Sequence, residues 1–392
     1  MKRRVLFLDA GLGLGGAEHS LILLATGLRE AGLDPIVGVL GPGPFQARLA
    51  REGLASVELR LPRTLRRTTR YRAVSLALAS PVLGGAAVHA AARIARLARR
   101  LRADLIHTNG LKLHLLGGLA GRLARRPVVW HLRDYPPPGL AGVVLRAAAH
   151  CLPAMILTNS DDVAATVRGA SCPVRRIYNA VDLGRFHPGV SGKDVRVELG
   201  IPPDAPLVGM VAHLTPWKGH EDFLGVARLV LDRAPAARFV VVGGPIYETA
   251  GHDGYAAALA RRARAPELGG RVTFLGARDD IPEVLAALDV LVHCPREPEP
   301  FGRVLAEAMA IGRPVVAARS GGIPEIVEDG VSGVLVTPRD VPAFAAAVLK
   351  LLESAPSRER LAARGRQVAE SRFAPGGHVA AVIDAYRAVL NG

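Results

Sequence analysis

The strongest constraint on this chain is an alternation that runs its whole length: short apolar runs, each followed by a stretch in which apolar residues recur at helical spacing. Strands separated by helices are joined by crossovers, and crossovers make neighbouring strands parallel, so the pattern predicts an α/β fold built of βαβ units. One series of runs covers 5–10, 35–40, 104–109, 128–133 and 155–160; a second covers 207–214, 238–244, 271–276, 289–295 and 314–318. Between them lies Asn179–Gly189, polar, containing Gly and Pro, with no periodicity, which is the composition of an interdomain connection. The 392 residues also exceed one ordinary core. We therefore expect two doubly wound parallel-sheet domains facing one cleft, residues 1–183 and 190–373. A last helix within 374–392, with Val379, Val382, Ile383, Tyr386 and Val389 on one stripe, is expected to return to the first domain.

Composition removes several classes. An apolar fraction of 49% excludes a disordered chain. The formal charge of +15 is concentrated: from Arg60 to Arg102 there are eleven arginines and no acidic residue, with Arg93, Arg96 and Arg100 at helical spacing. That segment reads either as a solvated helix face or as a basic amphipathic surface for anionic lipid. Nucleic acid is not expected as a partner, because Tyr71 is the only aromatic residue among these arginines and stacking platforms are missing. Cys151, Cys172 and Cys294 are odd in number and lack C-x-x-C spacing, as for reduced cytosolic thiols. Met1–Arg4 followed by Val5–Leu8 imitates a leader, but Asp9 and a glycine loop cut the apolar run short, so it reads as a first strand. Ser75–Ala92 contains Pro81, Gly84, Gly85 and His89 and is a poor spanning helix. The expected location is cytoplasmic, peripheral at the inner membrane face if the arginines bind lipid.

The first strand runs into Gly11-Leu12-Gly13-Leu14-Gly15-Gly16 and then a helix with Leu21, Leu24, Ala25 and Leu28 on one face. Small residues at a helix amino terminus let backbone N–H groups approach phosphate. A dinucleotide site would also need an acid at the end of the second strand, and that strand ends Val39-Leu40-Gly41-Pro42. In the second half, His213-Leu214-Thr215-Pro216-Trp217-Lys218-Gly219 leaves a strand at its carboxyl end, where ligands bind in open α/β sheets, and Lys218 is a natural phosphate partner. His213 reads either as a second phosphate donor or as a satisfied strand-end histidine.

Pro298–Val316 is the most informative stretch. Pro300 suits the first turn of a helix and Gly312 its end, which puts Glu299 just before the helix and Glu307 two turns inside. Glu299 could serve as a helix-start carboxylate. Glu307 sits among Val304, Leu305, Ala308 and Ile311, where a carboxylate needs hydrogen-bond donors; vicinal ribose hydroxyls are suitable ones.

On these residues the chain resembles glycosyltransferase family 4, the retaining GT-B enzymes with two Rossmann-like domains. Glu299 and Glu307, with seven residues between them, match that family's E-x7-E motif. Gly15-Gly16-Ala17-Glu18 is similar to its glycine loop, and Asn179-Ala180-Val181-Asp182 with Phe186 and Pro188 to its interdomain signature. Ser320–Val327 with Asp329-Gly330 resembles its late donor-side loop. The resemblance implies that Glu307 binds the ribose of a nucleotide-sugar, and that Glu299 binds the sugar hydroxyls near the Phe301 and Gly302 amides. It further implies that Lys218 binds the diphosphate, that Arg278 lies beside the base, and that His131 is the active-site histidine, positioning sugar and acceptor. The family usually carries an arginine where this chain has His213, which weakens neutralisation of the diphosphate.

The expected activity is hexosyl transfer from a UDP- or GDP-sugar to a glycan, lipid-linked or small-molecule acceptor, with retention. Lys218, His213 and the Gly15 and Gly16 amides would stabilise the departing diphosphate. No cofactor is expected beyond the co-substrate and no metal, since neither D-x-D nor H-E-x-x-H occurs. A phosphorylase or nucleotide-sugar epimerase on the same fold is the alternative; a nucleic-acid-binding or membrane-anchoring protein is remote.

Overall fold

The protein is described here by a computed structural model that covers residues 2–11, 13–62, 65, 81–244 and 254–391. Arg63, Arg66, Arg67, Arg70 and Arg72 of the basic segment lie outside the described residues. The chain divides into two units: Met1–Ala180 together with Pro375–Gly392, and Val181–Ala374.

Unit 1 carries β1 (Arg4–Asp9), β2 (Asp34–Val39), β3 (Ala55–Glu58), β4 (Leu105–Asn109), β5 (Val128–Leu132), β6 (Met155–Thr158) and β7 (Val174–Arg176), in the order β3-β2-β1-β4-β5-β6-β7. Each of these pairings is parallel. Unit 2 carries β8 (Leu207–Val211), β9 (Arg238–Val242), β10 (Val272–Gly276), β11 (Val290–His293), β12 (Val315–Ala318) and β13 (Val334–Val336), in the order β10-β9-β8-β11-β12-β13, also parallel. Both sheets are doubly wound. The central strands read as unbroken apolar runs because helices cover both faces: Val5–Leu8 and Leu207–Met210 are buried. The strands without a sequence signal are β3, β7 and β13, which lie at sheet edges. β3 and β7 are largely exposed, β7 is mostly arginine, and β7 and β13 have three residues each.

The helix Gly16–Glu30 buries Leu21, Leu24, Ala25 and Leu28 on one face of the first sheet. The C-terminal helix Pro375–Asn391 packs on that helix and joins the same core through Val379, Val382, Ala385 and Tyr386. The two helices approach closely at Gly27, where an added Cβ would stand 2.4 Å from Val379 Cγ2. At the unit boundary Val181 N–H donates to Phe373 O at 2.9 Å, so the chain enters and leaves unit 2 at adjacent points.

In each unit the strand order reverses beside the first strand, between β1 and β4 and between β8 and β11. Helices leave on opposite faces at such a reversal, which opens a crevice at the strand carboxyl ends. The polar residues of interest collect at these two places.

Candidate functional site

In unit 2 the chain leaving β8 makes a short 3-10 turn, Pro216–Lys218, and stops at Gly219. Gly219 has φ +80°, and a Cβ there would lie 1.9 Å from Cys294 O, so only glycine lets this loop press against the exit of β11. The close approach delivers Lys218 Nζ to 2.5 Å from Glu299 Oε2. His293, the last residue of β11, adds its Nε2 at 3.4 Å from the same oxygen, an electrostatic contact rather than a short hydrogen bond. Burial would push the Glu299 carboxyl up, but the charge of Lys218, with His293 beside it, holds it well below the usual carboxylate range. Glu299 is therefore a largely buried, ionised acceptor. The loop after β11 is anchored by Arg296, whose N–H donates to Trp217 O and whose guanidinium clasps Asp222 and Glu221.

The helix expected from Pro300 begins later, at Arg303. Gly302 has φ +85°, a left-handed conformation that cannot belong to a right-handed helix, so Pro300 and Phe301 stay in the loop. Two consequences correct the sequence reading. Glu299 stands four residues ahead of the helix and turns to Lys218 and His293, so it is not a helix-start carboxylate. Glu307 lies one turn inside the helix, not two. Glu307 is only 6% exposed, and Arg303 Nε lies 3.0 Å from its Oε1. Burial raises its carboxyl, while Arg303 and Arg185 draw it back. The Phe301 ring is buried against Phe373, and Glu299 O accepts the Gly322 N–H at 2.8 Å, tying the late loop to this segment.

The remaining unit 2 residues behave less uniformly. His213 is partly buried, and burial with the nearby Lys218 lowers its imidazole to about 4, so it is neutral near pH 7. Arg278 does not stand free beside β10: its guanidinium binds Glu198 at 2.6 and 2.8 Å and Asp280 at 2.8 and 2.6 Å.

In unit 1 the glycine loop opens the helix at Gly16, with Gly15 as its cap. The Gly15 N–H donates to Glu18 Oε2 at 2.9 Å, so an internal carboxylate already occupies one of the two amides expected to face phosphate. Asp9, at the end of β1, is buried and accepts from Gly11 N at 2.6 Å and from Asn109 Nδ2. Burial and the neighbouring Glu18 raise Asp9 to about 7. Arg133 continues the network, donating to Asn109 Oδ1 at 2.7 Å and to Asn179 Oδ1. His131, the fourth residue of β5, is fully buried, with Nδ1 3.2 Å from His107 Nε2 and 3.3 Å from an Arg133 nitrogen.

Asp9, His107, Asn109, Arg133 and His293 are site neighbours that the sequence reading passed over. Four of the five lie within a strand or at its last residue, and Arg133 directly follows β5, so a scan for polar residues near the carboxyl ends of the apolar runs would have found them.

Comparison with known proteins agrees with this architecture. The model "Glycosyltransferase Family 4" matches residues 14–185, and "Glycosyl transferases group 1" matches residues 192–368. The D-inositol 3-phosphate glycosyltransferase of Mycobacterium marinum is 39% identical over 207 residues, 51% of this chain and 42% of that protein. Its counterpart in Mycobacterium leprae is 35% identical over 243 residues, 60% and 54%. The chain thus spans about half the length of the curated relatives it matches. Among solved structures, Anabaena Alr3699/HepE in complex with UDP and glucose superposes with a TM-score of 0.83 at 28% identity, covering 97% of this chain and 98% of that one. A glycosyltransferase from Rickettsia africae shares the fold with a TM-score of 0.82 at 18% identity, covering 100% and 99%. With both units matched in order and the two sheets in place, the chain belongs to the family 4, group 1 glycosyltransferases of the GT-B fold.

Proposed function

We propose that the protein is a retaining, metal-independent hexosyltransferase that moves a sugar from a nucleotide-sugar, a UDP-sugar foremost and a GDP-sugar second, to an acceptor hydroxyl. The observation that carries this is the Lys218–Glu299 pair beside the exits of β8 and β11, with Glu307 one turn into the next helix. Such a set offers a cation for a diphosphate, an ionised acceptor for sugar hydroxyls and a buried carboxylate for ribose hydroxyls. UDP is favoured because Alr3699/HepE, the structural neighbour above, is also known in complex with UDP-glucose.

In this reading the departing diphosphate gains negative charge and Lys218 offsets it. His213, neutral, contributes a hydrogen bond and no charge. The Gly16 amide, the Phe301 and Gly302 amides and Arg278 take the roles implied by the motifs, with Arg278 held rigid by Glu198 and Asp280. Gly15 assists only if Glu18 gives up its amide. His131 positions the sugar and is not the base. The test is a thermal-shift screen with UDP, GDP, ADP and their glucose conjugates: UDP and UDP-glucose should raise Tm, and the shift should vanish in Glu307→Ala. No shift with any nucleotide would sink the reading.

The acceptor is proposed to be membrane-proximal, the enzyme working in the cytoplasm at the inner face of the membrane. Support comes from the helix Pro81–Arg100, where Arg96, Arg99 and Arg100 are exposed near one end, and from exposed Val88, Leu119, Leu123, Leu140 and Val143 in the same unit. Among the described residues no helix is long and apolar enough to cross a membrane, so attachment through this unit would be to the surface. Sedimentation with vesicles rich in phosphatidylglycerol, and none with phosphatidylcholine vesicles, is the expected result. D-inositol 3-phosphate is the soluble acceptor to try beside lipid-linked ones.

A further inference from the structure

His131 is embedded in a chain of buried rings that runs to the C-terminal helix. Tyr386 Oη lies 2.7 Å from His107 Nδ1, and His107 Nε2 lies 3.2 Å from His131 Nδ1. The Arg133 guanidinium, at a long 3.3 Å from His131 Nδ1, favours one direction for the chain because an arginine only donates, and the short Tyr386–His107 bond at the other end holds that direction. In that direction His131 Nδ1 accepts, so a neutral His131 carries its proton on Nε2. His107 Nε2 must then donate to His131, which leaves His107 Nδ1 as an acceptor, and Tyr386 O–H donates to it. Burial and the Arg133 charge lower both imidazoles, which keeps them neutral, and burial holds the Tyr386 proton in place.

The end of the chain is open. His131 Nε2 is buried and has no hydrogen-bond partner among the described residues. A buried donor without an acceptor costs stability, on the order of 1–3 kcal/mol, unless a ligand or water fills the place. His378, on the same C-terminal helix, complements it. Its Nδ1 donates to Tyr178 O at 2.7 Å, so its Nε2 is an acceptor, and that atom too lacks a partner. The two rings stack with centroids 6.4 Å apart.

We propose that Tyr386 is a positioning residue: through His107 it holds His131 in the Nε2–H tautomer, so that His131 donates a hydrogen bond to an oxygen of the bound sugar. The function of this chain rests on the reading of His131 as part of the sugar site, whereas its chemistry does not. A C-terminal helix distant in sequence thereby acts with Arg133 to set the polarity of a strand-end histidine.

The test uses the 392-residue chain with 15N-labelled histidine rings. Wild-type His131, assigned by its loss in His131→Ala, should show a protonated Nε2 and a bare Nδ1, and UDP-glucose should shift the Nε2 signal. In Tyr386→Phe, which keeps the ring that fills the core, His107 and His131 should each become a mixture of tautomers. Release of UDP from UDP-glucose should then slow about five- to tenfold with little change in KM, and Tm should move by only a few degrees. A wild-type His131 protonated on Nδ1, or a Tyr386→Phe protein with unchanged tautomers and rate, would overturn the proposal. If His131→Ala turns over UDP-glucose at the wild-type rate, the sugar-site reading fails, and the ring spectra still decide the relay on their own.

Discussion

Lys218 Nζ sits 2.5 Å from Glu299 Oε2, with both side chains mostly buried, although one belongs to the loop after β8 and the other to the loop after β11. The Lys218 charge is the leading influence that lowers the Glu299 carboxyl, ahead of His293, which is more distant at 3.4 Å. A buried ion pair of this kind is weak support for stability but is costly to break on one side only. That asymmetry suits a site in which an anionic ligand shares the lysine.

Glu299→Gln leaves Lys218 without its carboxylate while keeping the shape. UDP should therefore bind at least as tightly as to the wild type, up to about tenfold tighter, because the diphosphate becomes the lysine's partner. Turnover of UDP-glucose should fall by at least about a hundredfold, as an ionised acceptor for the sugar is lost. Calorimetry with UDP and a UDP-release assay separate the two effects, and weaker UDP binding would contradict the assignment.

Removing the Glu307 carboxylate should weaken UDP by about 2 kcal/mol, roughly thirtyfold, the cost of losing hydrogen bonds to a charged acceptor. Burial raises this carboxyl, so it takes up its proton at a higher pH than an ordinary glutamate. UDP affinity should accordingly start to fall on acidification while exposed carboxylates are still ionised. Glu307→Gln should bind weakly and lose that pH dependence.

His213, lowered to about 4, adds no charge to the phosphate site near neutrality. His213→Arg introduces one, and UDP should bind about three- to tenfold tighter, more so at low salt. An affinity independent of this substitution would place the diphosphate elsewhere.

Asp9 governs a stability effect in unit 1. Its folded value, about 7, is above its ordinary value of 3.8, so the folded state holds a proton that the unfolded state has lost between these two points. The stability Asp9 contributes is complete below about 4 and is lost as pH rises through 7. Tm measured from pH 5 to pH 8 should decline, and Asp9→Asn should flatten the decline. A wild-type curve that rises over this window would contradict the assignment.

Gly27→Val forces a branched side chain into the contact with Val379. Overpacking there should cost about 1–3 kcal/mol and lower Tm by several degrees, because the C-terminal helix cannot keep its place against the helix Gly16–Glu30. Gly27→Val with Val379→Ala should recover part of the loss.

The sequence alone determined the class and much of the plan. Apolar runs alternating with helical stripes require parallel sheets with helices on both faces, and the ten runs correspond to ten of the thirteen strands. Its acidic motif and strand-end lysine also named most of the donor-site candidates, because residue types at strand carboxyl ends carry their chemistry in one dimension. The edge strands β3, β7 and β13 stayed hidden, since short edge strands need no continuous apolar run.

Only the tertiary structure decided which groups meet. Lys218 and Glu299 are 81 residues apart, and Tyr386 and His107 are 279 apart. Spacing cannot show that the two lie at bonding distance, because the pairing depends on sheet order and on where the C-terminal helix packs. The left-handed turn at Gly302, which freed Glu299 from a capping role, is likewise a backbone choice that a sequence motif permits but does not impose. Charge states followed from the same source: the Lys218 charge keeps Glu299 ionised against its burial, whereas burial makes His213 neutral and Asp9 reluctant to ionise, and both burial and neighbours are properties of the folded chain alone.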